Sequence, residues 1–100
     1  MNKYLITYHN SQMPNDPKVM EQAKMAFGKW LQEAGTAVVD PGAPVMKAGQ
    51  VAAGQPSSSV DIGGYSIIQA ASEADAEKIL KTHPFVSRGG TLQVNKIIGV

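Results

Sequence analysis

The 100-residue sequence has no cysteine, which excludes disulfides, thiol catalysis and thiolate metal sites. This absence fits a reducing compartment, and we expect a cytoplasmic protein. An excess of charge is also lacking, with nine Lys and Arg against eight Asp and Glu and no basic stripe, so nucleic acid is not expected as a partner. No apolar run approaches the ~20 residues of a membrane span, and the N-terminal one is too short for a signal peptide. A membrane is therefore not expected as a partner either.

Glycine-rich phosphate loops are missing as well. Gly63-Gly64 and Gly89-Gly90 each precede a strand-forming stretch, whereas a phosphate loop opens a helix. Histidine and aspartate side chains offer metal-ligand atoms, but no two stand at a recognised ligand spacing. The residues considered for such a site are His9, His83, Asp40 and Asp61. We expect neither a cofactor nor a metal ion.

The residues that are present suit one folded domain over residues 1–100. Hydrophobic residues make up 43% and charged residues 17%, which argues against disorder. A core of this size leaves apolar surface near the outside, so self-association is expected.

Local patterns predict four strands and two helices. The first helix begins after Asp16, a cap residue followed by Pro17, and its apolar side chains recur at spacings of three and four as far as Gly35. Ser72 is predicted to cap the second helix, which Pro84 ends. In order, the elements are a strand over 3–8, a turn-rich connection over 9–15, a helix over 17–34, strands over 36–39 and 63–70, a helix over 73–83 and a strand over 91–98.

Three further connections carry turn residues. Asp40-Pro41-Gly42 is predicted to end the second strand, and residues 85–90 are predicted to form a glycine-ended loop. The longest connection, residues 43–62, is rich in Gly, Pro and Ser, and we expect a flexible loop there. Val45-Met46 and Val51 are candidates for small strand fragments. Such a loop is either a lid or binding loop, or a tolerated surface insertion.

The order strand, helix, strand, strand, helix, strand predicts an α+β fold, a ferredoxin-like βαββαβ antiparallel sheet with two helices on one face. The other sheet face then lacks cover. In a chain this small a second copy is the simplest partner, so we expect a homodimer. The connectivity also brings six candidate site residues to one end of the sheet: Tyr8, His9, Asp40, Tyr65, His83 and Arg88.

Two histidines are the catalytic candidates. His83 would act as a general acid or base, because an unperturbed histidine pKa of about 6.5 suits proton transfer near neutral pH. Alternatively, it is a histidine at a helix C-terminus that interacts with the last carbonyl groups. His9 would pair with His83 or orient a ligand, or is an exposed loop residue.

Four residues are predicted to bind a ligand. Arg88 would clamp a carboxylate through its planar guanidinium, or lie on the surface. Asp40 would hold a cation or a histidine, or only stabilise its own turn. Tyr8 and Tyr65 would reach the pocket with their hydroxyls, or serve as sheet or interface residues.

Five stretches follow one another along the chain in a recognisable order: Lys3–Tyr8, residues 38–44, Gly63–Ala70, His83-Pro84-Phe85 and Gly89–Val94. Together they are similar to the YCII-related domain family, over nearly the whole chain. The resemblance implies a dimeric α+β barrel of two ferredoxin-like subunits with a small-molecule pocket near the dimer interface. Most members have no assigned activity, and a few resemble lyase- or dehalogenase-type enzymes that act on aromatic compounds.

The chain departs from the suspected catalytic pattern of that family. Some members carry a histidine in the first helix and an aspartate before the proline that follows the second helix. Here the first helix has no histidine, and His83 precedes Pro84. A His–Asp pair is therefore not carried over, and only the position of His83 matches.

These observations lead to two functional hypotheses. The first is a cytosolic homodimer with a small-molecule pocket, an acid–base, lyase-like enzyme for a small acidic or aromatic substrate with His83 as the proton carrier. The alternative is a non-catalytic ligand-binding, accessory or regulatory module.

Overall fold

The computed structural model describes residues 1–9 and 16–99, and its main elements follow the predicted order. The strands are β1 (Asn2–His9), β2 (Val38–Pro44), β3 (Gly64–Ala70) and β4 (Thr91–Lys96), and the helices are α1 (Pro17–Ala34), α2 (Glu73–Leu80) and the short α3 (Pro84–Ser87). A single 3₁₀ turn, Gly35–Ala37, separates α1 from β2. Apart from its first residue, the connection predicted over 9–15 lies outside the described residues.

The four strands form one sheet in the order β2-β3-β1-β4, and every neighbouring pair is antiparallel. In the register, Tyr8 of β1 lies opposite Gly64 of β3 and Leu92 of β4. The end of β1 therefore meets the starts of β3 and β4. This is the predicted ferredoxin-like arrangement.

The core lies on one face of the sheet. Tyr4 and Ile6 of β1 and Ile68 of β3 pack in the same buried cluster as Trp30 of α1 and Leu80 of α2. Because α1 and α2 bury side chains against the same strands, both cover the same face, as predicted. The side chains that alternate with this set, on the opposite face, are Leu5, Thr7 and His9 of β1 and Tyr65 and Ile67 of β3.

The ends of α1 and the start of α2 confirm the capping predictions. The Asp16 carboxylate accepts a hydrogen bond from the Lys18 amide at 2.9 Å. Gly35 follows α1 with a φ of 57°, which favours glycine. The Ser72 hydroxyl accepts a hydrogen bond from the Asp75 amide at 3.2 Å and caps α2.

The predicted end of the second strand is wrong, because β2 continues through Asp40-Pro41-Gly42 to Pro44. The pairing with β3 shifts register on both sides of Asp40, so these residues form a bulge instead of a terminating turn. The Asp40 carboxylate accepts a hydrogen bond from the Gly42 amide at 2.8 Å. The expected turn chemistry is present, but inside a strand.

The predicted helix over 73–83 ends earlier, and part of the loop predicted over 85–90 is helical. α2 stops at Leu80, and His83 is the N-cap of α3, with Pro84 at the first helical position. The alternative that placed His83 at a helix C-terminus is therefore wrong. The His83 ring instead caps the N-terminus of α3.

Between β2 and β3 the chain from residue 45 to residue 63 forms neither helix nor strand. The strand fragments considered at Val45-Met46 and Val51 do not form. Nearly all of this stretch is exposed, and a hydrogen bond of 3.1 Å from the Lys47 ammonium to the Ser59 hydroxyl crosses it. Among the described helices, none has the length and apolar character needed to cross a membrane.

Candidate functional site

His83 is buried in an aromatic cluster between the sheet and α1. Only 1% of its surface is exposed. Its ring centroid lies 4.4 Å from that of Trp30, 5.2 Å from Tyr8 and 5.5 Å from Phe27. An imidazole enclosed in this way cannot exchange its polar contacts for water, so its hydrogen bonds determine its state.

The capping contact fixes the tautomer of His83. The Phe85 amide donates a hydrogen bond of 3.0 Å to Nδ1, so Nδ1 carries no proton. The neutral ring then carries its proton on Nε2, which lies 2.8 Å from the Tyr8 hydroxyl oxygen. Nε2–H therefore donates to Tyr8.

The hydrogen bonds beyond Tyr8 fix the positions of the remaining protons. The Ser66 hydroxyl donates to the Pro41 carbonyl at 2.8 Å, because a carbonyl oxygen only accepts. The Tyr8 hydroxyl lies 2.7 Å from the Ser66 oxygen and must donate to it. A directed chain of four hydrogen bonds, from the Phe85 amide to the Pro41 carbonyl, thus joins α3, β1, β3 and the β2 bulge.

Electrostatics keep the groups of this hydrogen-bond chain uncharged. Burial, and to a smaller extent the positive charge of Arg88, lowers the pKa of His83 to about 4. Burial also raises the pKa of Tyr8, an effect that the Ser66 hydrogen bond partly opposes. Arg88 lies beside the chain, with its guanidinium carbon 5.8 Å from the centre of the Phe85 ring. Arg88 is the cationic side chain of this cluster.

The stability of the fold is expected to fall as the pH is lowered from 7 to 5. The pKa of His83 is about 4 in the folded chain and near 6.5 in the unfolded chain, so its contribution is complete above pH 6.5 and is lost as the pH falls towards 4. The loss through His83 alone is about 2 kcal/mol between pH 7 and pH 5. Urea unfolding at both pH values measures it. An equal loss in a His83→Asn variant would assign the effect to other groups.

The structure places His9 and Tyr65 away from this cluster. Side chains alternate along β1, so His9 lies on the sheet face opposite Tyr8. Its Nδ1–H donates to the Asp61 carbonyl at 3.1 Å, and the Thr7 hydroxyl bonds Nε2 at 2.8 Å. Tyr65 lies across from Thr7 on that same open face. The sheet thus separates the two catalytic candidates.

Asp40 directly precedes Pro41, the last member of the hydrogen-bond chain, but its own carboxylate bonds the Gly42 amide. The neighbouring Pro41 carbonyl reaches the chain instead. Of the six candidates, the structure brings together Tyr8, His83 and Arg88. Ser66 was not among them, although a serine amid the buried residues of a Tyr-Ser-Ile-Ile strand was a usable signal, because buried hydroxyls need partners.

The described residues contain no group of three or more His, Asp or Glu side chains close enough to hold a metal ion. Two cavities, of about 350 and 290 Å³, lie at the opposite end of the sheet from His83. The residues that line them include Asn2 and Tyr4 for the first and Ala34 and Gln69 for the second. Neither cavity touches the aromatic cluster.

Comparison with known proteins supports the fold. No family model matches the chain, and no curated protein does. Among solved structures, the chain is similar to 5-chloro-2-hydroxyhydroquinone dehydrochlorinase (TftG) from Burkholderia phenoliruptrix AC1100, in complex with 2,5-dihydroxybenzoquinone. The identity is 18%, the TM-score is 0.56, and the match covers 91% of this chain and 90% of that one. At this identity the likeness shows that the two chains share an α+β fold.

Proposed function

We propose that this chain is a YCII-related protein that binds a small acidic or aromatic molecule at the end of the sheet where Tyr8, His83 and Arg88 meet. The observation that carries the proposal is the buried, directed hydrogen-bond chain through Tyr8 and His83. Polar groups held this firmly inside an aromatic cluster, beside one cationic side chain, are typical of a site that orients a ligand.

The chemistry of the cluster selects the ligand class. Arg88 supplies a positive charge at the exposed side of the cluster, which would pair with an acidic oxygen. The Phe85 ring next to it would lie against a flat ring. The dehydrochlorinase with the same fold was solved with 2,5-dihydroxybenzoquinone, a small cyclic molecule with hydroxyl and carbonyl oxygens. That compound is a suitable first probe.

Two forms of this function differ in the role of His83. In the lyase-like form, His83 carries a proton, and it would first have to release the Phe85 amide from Nδ1. In the non-catalytic form, His83 only holds Tyr8. The continuous hydrogen-bond chain and the low pKa of His83 favour the second form. The Nδ1 lone pair is already engaged by the Phe85 amide, and a base with a pKa of about 4 accepts protons poorly at neutral pH.

The assembly is part of the proposal. The sheet face away from the helices carries Leu5, Tyr65 and Ile67, and a second copy of the chain would cover it. His9 would then lie in the dimer interface. Light scattering on dilution is expected to give twice the mass of one chain.

The test is a titration of the ¹⁵N-labelled protein with 2,5-dihydroxybenzoquinone, followed by NMR. Amide shifts are expected in α3 and at the start of β4, and Arg88→Gln is expected to weaken binding by at least about tenfold. Lys24→Gln, which removes an exposed positive charge from α1, is the matched control and should leave binding unchanged. Absence of shifts at those positions would contradict the site. Chloride release from 5-chloro-2-hydroxyhydroquinone would decide for the enzyme form.

A further inference from the structure

The larger cavity lies at the end of the sheet far from His83 and is not part of the proposed site. It has a volume of about 350 Å³ and opens between the start of β1, the end of β4 and the first turn of α2. The lining residues that matter for its chemistry are Asn2, Tyr4, Ser72, Glu73, Val94 and Lys96.

Tyr4 forms part of its wall, and its hydroxyl has no hydrogen-bond partner among the residues that the structure describes. Only 2% of Tyr4 is exposed. Over the same residues, no fully buried side-chain oxygen or nitrogen lacks a partner. Tyr4 is one of the residues that line the cavity, so we take its hydroxyl as the polar group that the wall offers. A buried phenol in the wall of a cavity can serve as a hydrogen-bonding group for a ligand.

Charges of both signs flank the cavity. Lys96 lies directly opposite Tyr4 in the β1–β4 register, whereas Glu73 begins α2 just beyond the end of β3. Strands β3 and β4 lie on either side of β1, ~10 Å apart, so the ammonium and the carboxylate approach from two sides. Each is exposed.

The start of α2 adds amide donors. The first amides of a helix have no partner within the helix. In α2, the Asp75 amide donates to the Ser72 hydroxyl. Within the described part of the chain, no hydrogen bond engages the amides of Glu73 and Ala74. Together with Lys96 they favour a carboxylate, but the Glu73 and Asp75 side chains oppose a bare anion.

We propose that this cavity binds a free α-amino acid in its zwitterionic form. The ligand carboxylate would face Lys96 and the first amides of α2, and its ammonium would face the Glu73 carboxylate. The Tyr4 hydroxyl would donate to the carboxylate, and Val94 would contact an apolar side chain. A molecule with both charges on one carbon meets both flanks of the cavity, whereas an ion of either sign meets one favourable and one unfavourable group.

The test uses L-leucine with two analogues that each lack one charge, 4-methylpentanoate and 3-methylbutylamine. In NMR titrations of the ¹⁵N-labelled protein, L-leucine is expected to shift the amides of residues 72–75 and 94–96 and to bind at least about tenfold more tightly than either analogue. Glu73→Gln and Lys96→Gln are each expected to weaken L-leucine binding by a similar factor. Tyr4→Phe is expected to weaken it while leaving the urea midpoint unchanged, since its hydroxyl has no described partner to lose.

Lys81→Gln removes an exposed charge after α2 and outside the cavity, and it is the control. If 4-methylpentanoate binds as tightly as L-leucine, the cavity is an anion site and the proposal is overturned. If 3-methylbutylamine binds as tightly as L-leucine, the cavity is a cation site and the proposal is likewise overturned. Absence of shifts at the cavity up to about 20 mM L-leucine, above the millimolar range of weak ligands, would also overturn it. Shifts confined to α3 would assign the amino acid to the His83 end instead, and so contradict the proposal.

Discussion

Replacement of His83 by alanine is expected to lower the free energy of unfolding by about 3 to 5 kcal/mol, a loss typical of large aromatic truncations in a core. The substitution leaves a cavity against Trp30, Phe27 and Tyr8, because all three rings pack on the imidazole. It also removes the acceptor of the Phe85 amide and so the cap of α3. Urea unfolding followed by tryptophan fluorescence measures the loss, since Trp30 is the only tryptophan.

His83→Asn separates the capping contact from the packing. Asparagine is a good N-cap and would keep an oxygen acceptor for the Phe85 amide, but it is too short to reach the Tyr8 hydroxyl. It is expected to recover about 1 kcal/mol relative to alanine, the usual value of a cap. A loss below about 1 kcal/mol for His83→Ala would mean that the cluster collapses around the smaller residue, and the structural role assigned to His83 would be wrong.

The elements that the sequence predicts well are those specified by neighbouring residues. Asp16, Pro17 and Gly35 lie at the two ends of α1, and their effect depends only on local backbone geometry. The β2 bulge was not predictable in this way, because Asp40-Pro41-Gly42 has the composition of a turn. The bulge forms because the strand continues to pair with β3 beyond it. The start of α3 likewise depends on a side chain, His83, whose burial comes from tertiary packing.

The same distinction explains the candidate site. Connectivity alone brought Tyr8 and His83 to one end of the sheet, and they form a hydrogen bond there. Connectivity does not specify the face of the sheet. The alternation of β1, carried as far as His9, places that residue on the face opposite Tyr8. The sequence therefore already argued against a pairing of His9 with His83. The direction of the hydrogen bonds depends on Phe85, Ser66 and Pro41 together, and no local pattern contains all three.

Gly42→Ala is expected to lower the free energy of unfolding by at least about 2 to 4 kcal/mol, from a strained backbone and a steric overlap that must be relieved. Gly42 has a φ of 76°, and a Cβ atom there would overlap the carbonyl of Tyr65 on β3. Relief of this overlap must move β2 away from β3 at the bulge. The Pro41 carbonyl would move with it and weaken its hydrogen bond with Ser66. Urea unfolding measures the stability, and the NMR signals of the Tyr8 and His83 rings report on the chain.

Gly28→Ala provides the matched control for this substitution. Gly28 lies inside α1, its φ is not positive, and a Cβ atom there would have no neighbour within 4 Å. Alanine is therefore expected to raise the free energy of unfolding by about 0.5 to 1 kcal/mol, because it lowers the entropy of the unfolded chain and favours the helix. The same chemical change should thus act with opposite signs at the two positions. Equal losses at both would mean that added bulk, and not the geometry of the bulge, explains the effect at Gly42. A loss at Gly42 with unchanged signals from the His83 ring would mean that the bulge supports β2 without coupling to the hydrogen-bond chain.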